Sequence, residues 1–298
     1  MKGPHMIPIN LDGKVALVTG VGDNESFAWY IAKALRAAGA KIVLASHPRM
    51  VGIVESFLSR DQDAPSRKLP HGGGDLRVEK VYACDVSYDT MADVPESVRT
   101  DRRYAKFADY SIQGTVDAVG KEFGGIDILI HSVAFSREIK NSLLNTSRAA
   151  YLEAISVSSY SLIGMLRAAL PHMKNRPGAS ALGLTYLGGE RVVPHYGGGM
   201  STAKAALQID AAQLAFFMGR EAGVRVNLIS AGPYASRAAS AIGDIQKMID
   251  YAAERSPLPR GITPEEVADA TVFMCSALAS GITAQTLYVD CGYHMMGG

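Results

Sequence analysis

Between Lys14 and Thr19 the chain reads Val-Ala-Leu-Val, an unbroken apolar run that stops at Gly20, and this run constrains the fold more than any other stretch. A strand with one wet face alternates apolar and polar residues. A run that is apolar at every position needs cover on both faces, which is the situation of a strand inside a parallel sheet. A turn of small and polar residues follows, 20–26. From 27 to 38 the apolar residues recur at helical spacing and stop at Gly39, and 41–45 is a second buried-strand run. Strand, helix and strand within about 30 residues make a βαβ unit, whose crossover is right-handed almost without exception.

The alternation continues along the chain. Further strands are expected at 78–83, 126–130, 179–186, 224–229 and 286–289, and further helices at 112–123, 149–173, 200–222 and 264–276. The expected fold is therefore α/β: a Rossmann-type, doubly wound, seven-stranded parallel sheet between two helical layers. Ligands of such sheets bind beyond the carboxyl ends of the strands. Two segments break the rhythm, 60–74 and 87–110. Both are dense in charge, Gly or Pro and are expected to be surface excursions, because neither has the apolar periodicity to bury a core of its own. A length of 298 residues suits one α/β core, so 1–298 is expected to be a single domain, with 1–6 an extraneous cloning remnant.

Composition excludes several functions. Lys and Arg number 30 against 29 Asp and Glu, so no excess of positive charge is available to neutralise phosphates, and nucleic acid is not an expected partner. Cys84, Cys275 and Cys291 lack ligand or disulfide spacing, so no metal site is expected and a reducing, cytoplasmic compartment fits. No apolar stretch reaches about 18 residues without Gly, Pro or charge, so no membrane span is expected. A plastid location stays open if a transit peptide has been removed.

The turn 20–26 lies between a buried strand and a helix, where backbone N–H groups and the helix N-terminus can hold a pyrophosphate. It lacks the GxGxxG pattern: Ser26 and Ala28 stand where glycines might be expected, so a plain tight turn remains the alternative. No acidic residue follows the second strand to hold an adenosine ribose. Ser46-His47-Pro48-Arg49 instead offers His47 for stacking and Arg49 as a partner for a 2′-phosphate, so NADH and NADPH both stay open. Asp85, ending the third strand, can accept from an adenine amino group or cap a turn. The more specific signal is Tyr186, Tyr196 and Lys204, which can converge at the carboxyl edge of the sheet. On a regular helix eight steps of about 100° would leave Tyr196 and Lys204 about 80° apart. Gly197-Gly198-Gly199 allows the tyrosine to be presented from a loosened entry turn instead. A lysine beside a phenol favours the phenolate and strengthens the phenol as a donor to a developing oxyanion.

At these residues the sequence resembles the short-chain dehydrogenase/reductase superfamily and, within it, the enoyl-acyl-carrier-protein reductases, closest to their plant, apicomplexan and chlamydial branch. The resemblance runs from about Leu11 to Met296. It is carried by the Tyr-x9-Tyr-x7-Lys spacing, by His131-Ser-Val-Ala134, Ser156-Val-Ser-Ser-Tyr-Ser161 and Ser230-Ala-Gly-Pro-Tyr-Ala-Ser-Arg-Ala238, and by the loop 93–104. It implies reduction of the carbon–carbon double bond of a trans-2-enoyl thioester, carried on an acyl carrier protein, by hydride from NADH, with Tyr196, Lys204 and Tyr186 as catalytic residues. It also implies that Gly20, Val21, Ser26, Phe27, His47, Asp85, Val86, Ser132, Val133, Ala134, Lys204, Tyr234 and Ser236 hold the cofactor. Ser136, Tyr186, Tyr196, Ala238 and Ile242 would meet the substrate, with 238–248 as its lid, and the oligomer would be a homotetramer. The chain departs from the plant pattern at His47 (Trp there), at Ser26-Phe27-Ala28 and at Val133-Ala134-Phe135, and Tyr234 replaces an aliphatic residue. Only Arg237 and Lys247 supply positive charge near the lid. A carbonyl reductase of the same superfamily and a non-catalytic dinucleotide-binding subunit are the alternatives.

Overall fold

Every residue of β1 (Val15–Thr19) is buried, and its side chains divide by parity between two cores. Ala16 and Val18 pack with Ile42, Leu44, Ile128 and Ile130 on one face of the sheet, Val15 and Leu17 with Val43, Ala45 and Leu129 on the other. This is the physical content of the unbroken apolar run: a period-two strand with an apolar layer on each side. The structure, a computed structural model, describes residues 9–236, 239 and 245–297.

The other strands are β2 (Lys41–Ser46), β3 (Val78–Ala83), β4 (Ile128–His131), β5 (Ser180–Thr185), β6 (Arg225–Ala231) and β7 (Thr286–Val289). They form one parallel sheet in the order β3-β2-β1-β4-β5-β6-β7, as the alternation predicts. The helices of eight or more residues are α1 (Phe27–Ala37), α2 (Val51–Ser59), α5 (Ile112–Glu122), α6 (Arg148–Ile155), α7 (Ser161–Met173), α8 (Met200–Ala222), α9 (Ile245–Arg255) and α10 (Pro264–Cys275); α3 (Ala64–Arg67) and α4 (Glu96–Arg99) are single turns. Helices α1 and α10 cover one face; α5, α7 and α8 cover the other. Strand order reverses between β1 and β4, so the crevice beyond their carboxyl ends lies at the topological switch point.

Three expectations need correction. The 149–173 helix is not continuous, because a π-helical turn, Ser156–Tyr160, separates α6 from α7. Helices α2 and α9 were not expected; α2 follows the Pro48 turn, and its Gly52 and Ser56 dilute the apolar period. The 87–110 excursion does bury residues: Val94, Tyr104 and Tyr110 pack against Val51 and Ala83, borrowing cover from α2 and β3 that its own periodicity could not supply. Among the described residues the stretch Arg148–Met173 is long and apolar enough to cross a membrane by length and composition, although Glu153, Gly164, Arg167 and Pro171 interrupt it. More than half of its most apolar window is buried in this protein, against the sheet and α8, so its hydrophobicity is that of a core helix.

The 60–74 excursion is fastened by one buried donor. Trp29 of α1 is fully buried and its indole Nε1–H donates to the Ser66 carbonyl at 2.9 Å. Trp29→Phe leaves that carbonyl without its partner, at a cost of about 1–3 kcal/mol. Thermal unfolding followed by circular dichroism is expected to shift downward, with limited proteolysis cutting first within 60–74.

Candidate active site

Gly20 ends β1 with φ +79, and a methyl group in place of its hydrogen would lie 1.9 Å from the Ser132 carbonyl oxygen beyond β4. Only glycine allows that backbone conformation and that approach together. One turn later Ser26 caps α1, its Oγ accepting the Trp29 N–H at 3.4 Å and donating to the Asp23 carbonyl at 3.0 Å. The turn thus presents a helix N-terminus at the switch point without the GxGxxG pattern. Val21 is buried in the core, so only its backbone can face a ligand.

A cavity of about 440 Å³ opens from this turn, lined by Thr19, Gly20, His47, Asp85, Val133 and Ala134 among others, with Val86 and Arg49 on its wall. Ser132 adjoins it through its carbonyl. Asp85 is buried, and burial opposes its charge, but hydrogen bonds from His47 and from the Ser87 N–H prevail and hold its carboxyl at about 2. Tyr104, from the 87–110 excursion, donates to Asp85 at 2.9 Å and lies 3.0 Å from His47 Nε2. The excursion therefore builds the Asp85 end of the cavity. The loop 93–104 that ends at Tyr104 carries part of the resemblance, but nothing in it singled out this tyrosine among Tyr88, Phe107 and Tyr110 as the partner of Asp85. Arg49 stands at the rim, with its guanidinium 3.5 Å from Asp101 and over the Tyr104 ring.

Tyr186 follows β5, Tyr196 ends the next loop and Lys204 lies in the second turn of α8. The two tyrosine rings meet edge to face, centroids 4.9 Å apart. The turn between them, Gly188-Gly189, is what all three residues share. A methyl group on Gly188 would meet both rings within 3.0 Å, and one on Gly189 would lie 2.9–3.1 Å from Lys204. Gly198 (φ +59) and Gly199 (φ +84) are left-handed, and α8 starts only at Met200, so Tyr196 stands outside the helix as the spacing argument requires.

The electrostatics differ from expectation. Lys204 is buried and donates to the Leu184 carbonyl at 2.8 Å, and burial pulls its ammonium down to about 8. It does not act on the Tyr196 phenol, which burial, reinforced by Tyr186, holds above its ordinary range. The site therefore presents a neutral phenol, the form able to donate, rather than a phenolate. His131, ending β4, is neutral too: burial and the Lys204 charge bring it to about 3. Its Nε2 lies 2.7 Å from Ser161 Oγ, which donates to the Val157 carbonyl, so the imidazole proton sits on Nε2.

Other expected residues lie as follows. The Tyr234 ring packs on Phe27, 5.2 Å between centroids, and its hydroxyl meets that of Tyr30, so its side chain leans toward the α1 turn. Ser236 is buried and its Oγ accepts the Ala239 N–H at 3.1 Å. The Ser136 hydroxyl donates to the Gly198 carbonyl at 2.7 Å. Ala238 and Ile242 lie outside the described residues, as does Arg237. On the far side of Tyr186 a second cavity of about 340 Å³ is lined by Val192, His195, Lys247, Met248, Tyr251 and Tyr293 among others; the last two were not foreseen.

A family model described as Enoyl-(Acyl carrier protein) reductase matches residues 108–294. The chloroplastic enoyl-[acyl-carrier-protein] reductase [NADH] of Arabidopsis thaliana is 47% identical over 296 residues, covering 99% of this chain and 75% of that protein. The enzyme of the same name from Nostoc is 38% identical, covering 97% and 99% of the two chains. Among solved structures, the Plasmodium berghei enoyl-acyl-carrier-protein reductase with triclosan superposes with a TM-score of 0.89 at 37% identity, covering 96% of this chain and 99% of that one. The Anaplasma phagocytophilum enzyme in complex with NAD gives 0.78 at 33% identity, covering 98% and 97%. With its parallel sheet, its switch-point cavity and these relatives along the whole chain, this protein belongs to the enoyl-[acyl-carrier-protein] reductase family.

Proposed function

We propose that this protein reduces the carbon–carbon double bond of a trans-2-enoyl thioester on an acyl carrier protein, using NADH, in fatty-acid or related acyl-chain synthesis. The observation that supports the residue roles is the Gly188-Gly189 turn, which packs against the Tyr186 and Tyr196 rings on one side and the start of the Lys204 side chain on the other, in a chain whose switch-point cavity suits a dinucleotide. The fit rests on Gly20, whose side a Cβ would fill, and on the Asp85 carboxylate at the far end. When bound, the nicotinamide supplies hydride to the β-carbon of the enoyl group. Gly20 and the capped α1 turn, with Val21, Ser26 and Phe27, hold the pyrophosphate and ribose. His47, Asp85 and Val86 hold the adenine; Ser132, Val133, Ala134, Tyr234 and Ser236 line the nicotinamide half. Lys204 holds the nicotinamide ribose with an ammonium proton that Leu184 does not use. Tyr196 donates its neutral hydroxyl to the thioester oxygen as enolate charge develops there, and Tyr186 walls the acyl chain off toward the second cavity.

The remaining expectations are finer. Ile209, Phe216 and Phe217 on α8, with Leu152 on α6, are exposed apolar residues on the long helices. They support association with further copies into a homotetramer. Light scattering is expected to give four times the chain mass, and Phe216→Glu to lower it. The chloroplastic relatives support a plastid location, whereas cysteine usage alone suits the cytoplasm; fractionation of source cells tests both.

Two kinetic outcomes test the site. Tyr196→Phe is expected to lower turnover of a crotonyl thioester by about 10²–10³, the scale of a lost oxyanion-hole donor, with little change in NADH affinity. Full wild-type turnover would remove Tyr196 from the mechanism. The Lys204 ammonium, lowered to about 8, is present below that pH and lost above it. Activity and NADH affinity should therefore fall together as pH rises through 8. Lys204→Arg keeps its charge well above that range, so whatever activity it retains should lose this alkaline limb; an unmoved limb would assign it elsewhere.

A further inference from the structure

We propose that Ser136 is the positioning residue of Tyr196, acting through a clasp that the 135–147 segment closes on Gly197 and Gly198; this rests on the reading of Tyr196 as the enolate donor. Among the described residues no hydrogen bond holds the Tyr196 hydroxyl. Its place is set by the Tyr186 ring and by its own backbone. That backbone leads directly into Gly198 and Gly199, and glycine populates left- and right-handed conformations about equally. Local bonds hold the two ends of that backbone, Tyr196 N–H to the Val193 carbonyl and Ser201 Oγ to the Tyr196 carbonyl, and Gly197 and Gly198 between them also take partners from a distant segment.

That segment is 135–147. Ser136 Oγ donates to the Gly198 carbonyl at 2.7 Å. Gly198 N–H donates to the Asn141 carbonyl at 3.0 Å and Gly197 N–H to the Ile139 carbonyl at 3.1 Å. The fit has no slack: a methyl group on Gly197 would lie 1.9 Å from the Asn141 oxygen, and one on Gly198 would lie 2.3 Å from Ser136 Oγ. Of these contacts, the Ser136 bond alone comes from a side chain.

The clasp is anchored on the helical element that carries α6 and the π-helical turn, whose Ser158 also meets Met200 at the start of α8. Ser158, in the π-helical turn, accepts the Phe135 N–H at 3.0 Å and donates to the Phe135 carbonyl at 3.2 Å. At the other end the Glu138 carboxylate accepts the Ser147 N–H at 2.8 Å and its hydroxyl at 2.7 Å, and Ser147 caps α6. Both feet of the segment therefore stand on one long helical element, and its middle grips the glycines that aim the phenol. Ser136 was expected to meet substrate. Its hydroxyl instead serves the glycine carbonyl, and its effect on the reaction runs through Tyr196.

Steady-state kinetics on the full chain with NADH and a crotonyl thioester test this. Ser136→Ala is expected to lower kcat by about 10- to 100-fold, the range for small misplacement of a reacting group. KM for NADH should stay near wild type, and Ser136→Thr, which keeps the hydroxyl, should restore most of kcat. In a Tyr196→Phe background Ser136→Ala should cost nothing further, because the group it positions is gone. Wild-type kcat for Ser136→Ala beside a slow Tyr196→Phe overturns this inference alone. Additive losses in the double variant also overturn it, since Ser136 would then act on substrate directly. A Tyr196→Phe enzyme at full rate overturns both readings. If Ser136→Ala has no thermal transition, Ser136→Gly replaces it. Loss of fold in both would mean that Ser136 holds the fold rather than the tyrosine, and the proposal fails.

Discussion

The protein depends on how closely two strand ends approach. At the reversal of strand order, the backbone after β1 passes so near the Ser132 carbonyl that position 20 has no room for a side chain. That approach leaves a crevice between the two strand ends, with the capped start of α1 on one side and the residues after β4 on the other. Ligand specificity is then written in side chains around a gap that the backbone creates.

Burial governs the reactive end as strongly as geometry does. Tyr196, Lys204 and His131 are all removed from water, and each shifts toward its neutral form. The consequences differ by residue. A neutral phenol is the useful donor, a neutral imidazole avoids a second positive charge beside the lysine, and a lysine near 8 stays charged only below that pH. The same apolar surroundings that weaken charge in the resting site strengthen a hydrogen bond to charge that develops during reaction. Opposite this end, Asp85 keeps its charge because His47 and the Ser87 N–H bond to it, so the two ends of the crevice differ in character.

Much of this was legible in the residues. The parity of β1, the Gly39 stop after α1 and the triple glycine before α8 carry their structural meaning locally, and the seven-strand sheet follows from repeating that reading. That Tyr196 stands outside α8 was legible because its spacing from Lys204 is awkward for a helix and glycine resolves the awkwardness. What escaped is what depends on distant partners. Tyr104 reaches Asp85 from a stretch with no period of its own. The direction of the Lys204 ammonium escaped too, since a lysine inside a helix carries no mark of which carbonyl will receive it. Tyr234 illustrates the limit from the other side: its motif gave no sign that its ring would pack on Phe27 at the start of α1.

The π-helical turn at Ser156–Tyr160 sets how this chain can vary in length. Upstream of it, Ala150 and Ala154 face inward, the latter against Tyr196; downstream, Leu162 and Leu166 face the sheet. The extra residue in that turn keeps the two halves of the helix in phase with two different neighbours. Deleting it would return the helix to a regular repeat and swing everything after it by about 100°, turning Leu162 and Leu166 away from the sheet. Insertions and deletions along this helix thus act as frame errors in three dimensions, whereas the tip of the 60–74 excursion, where Gly72 and Gly74 have open space around them, can absorb them.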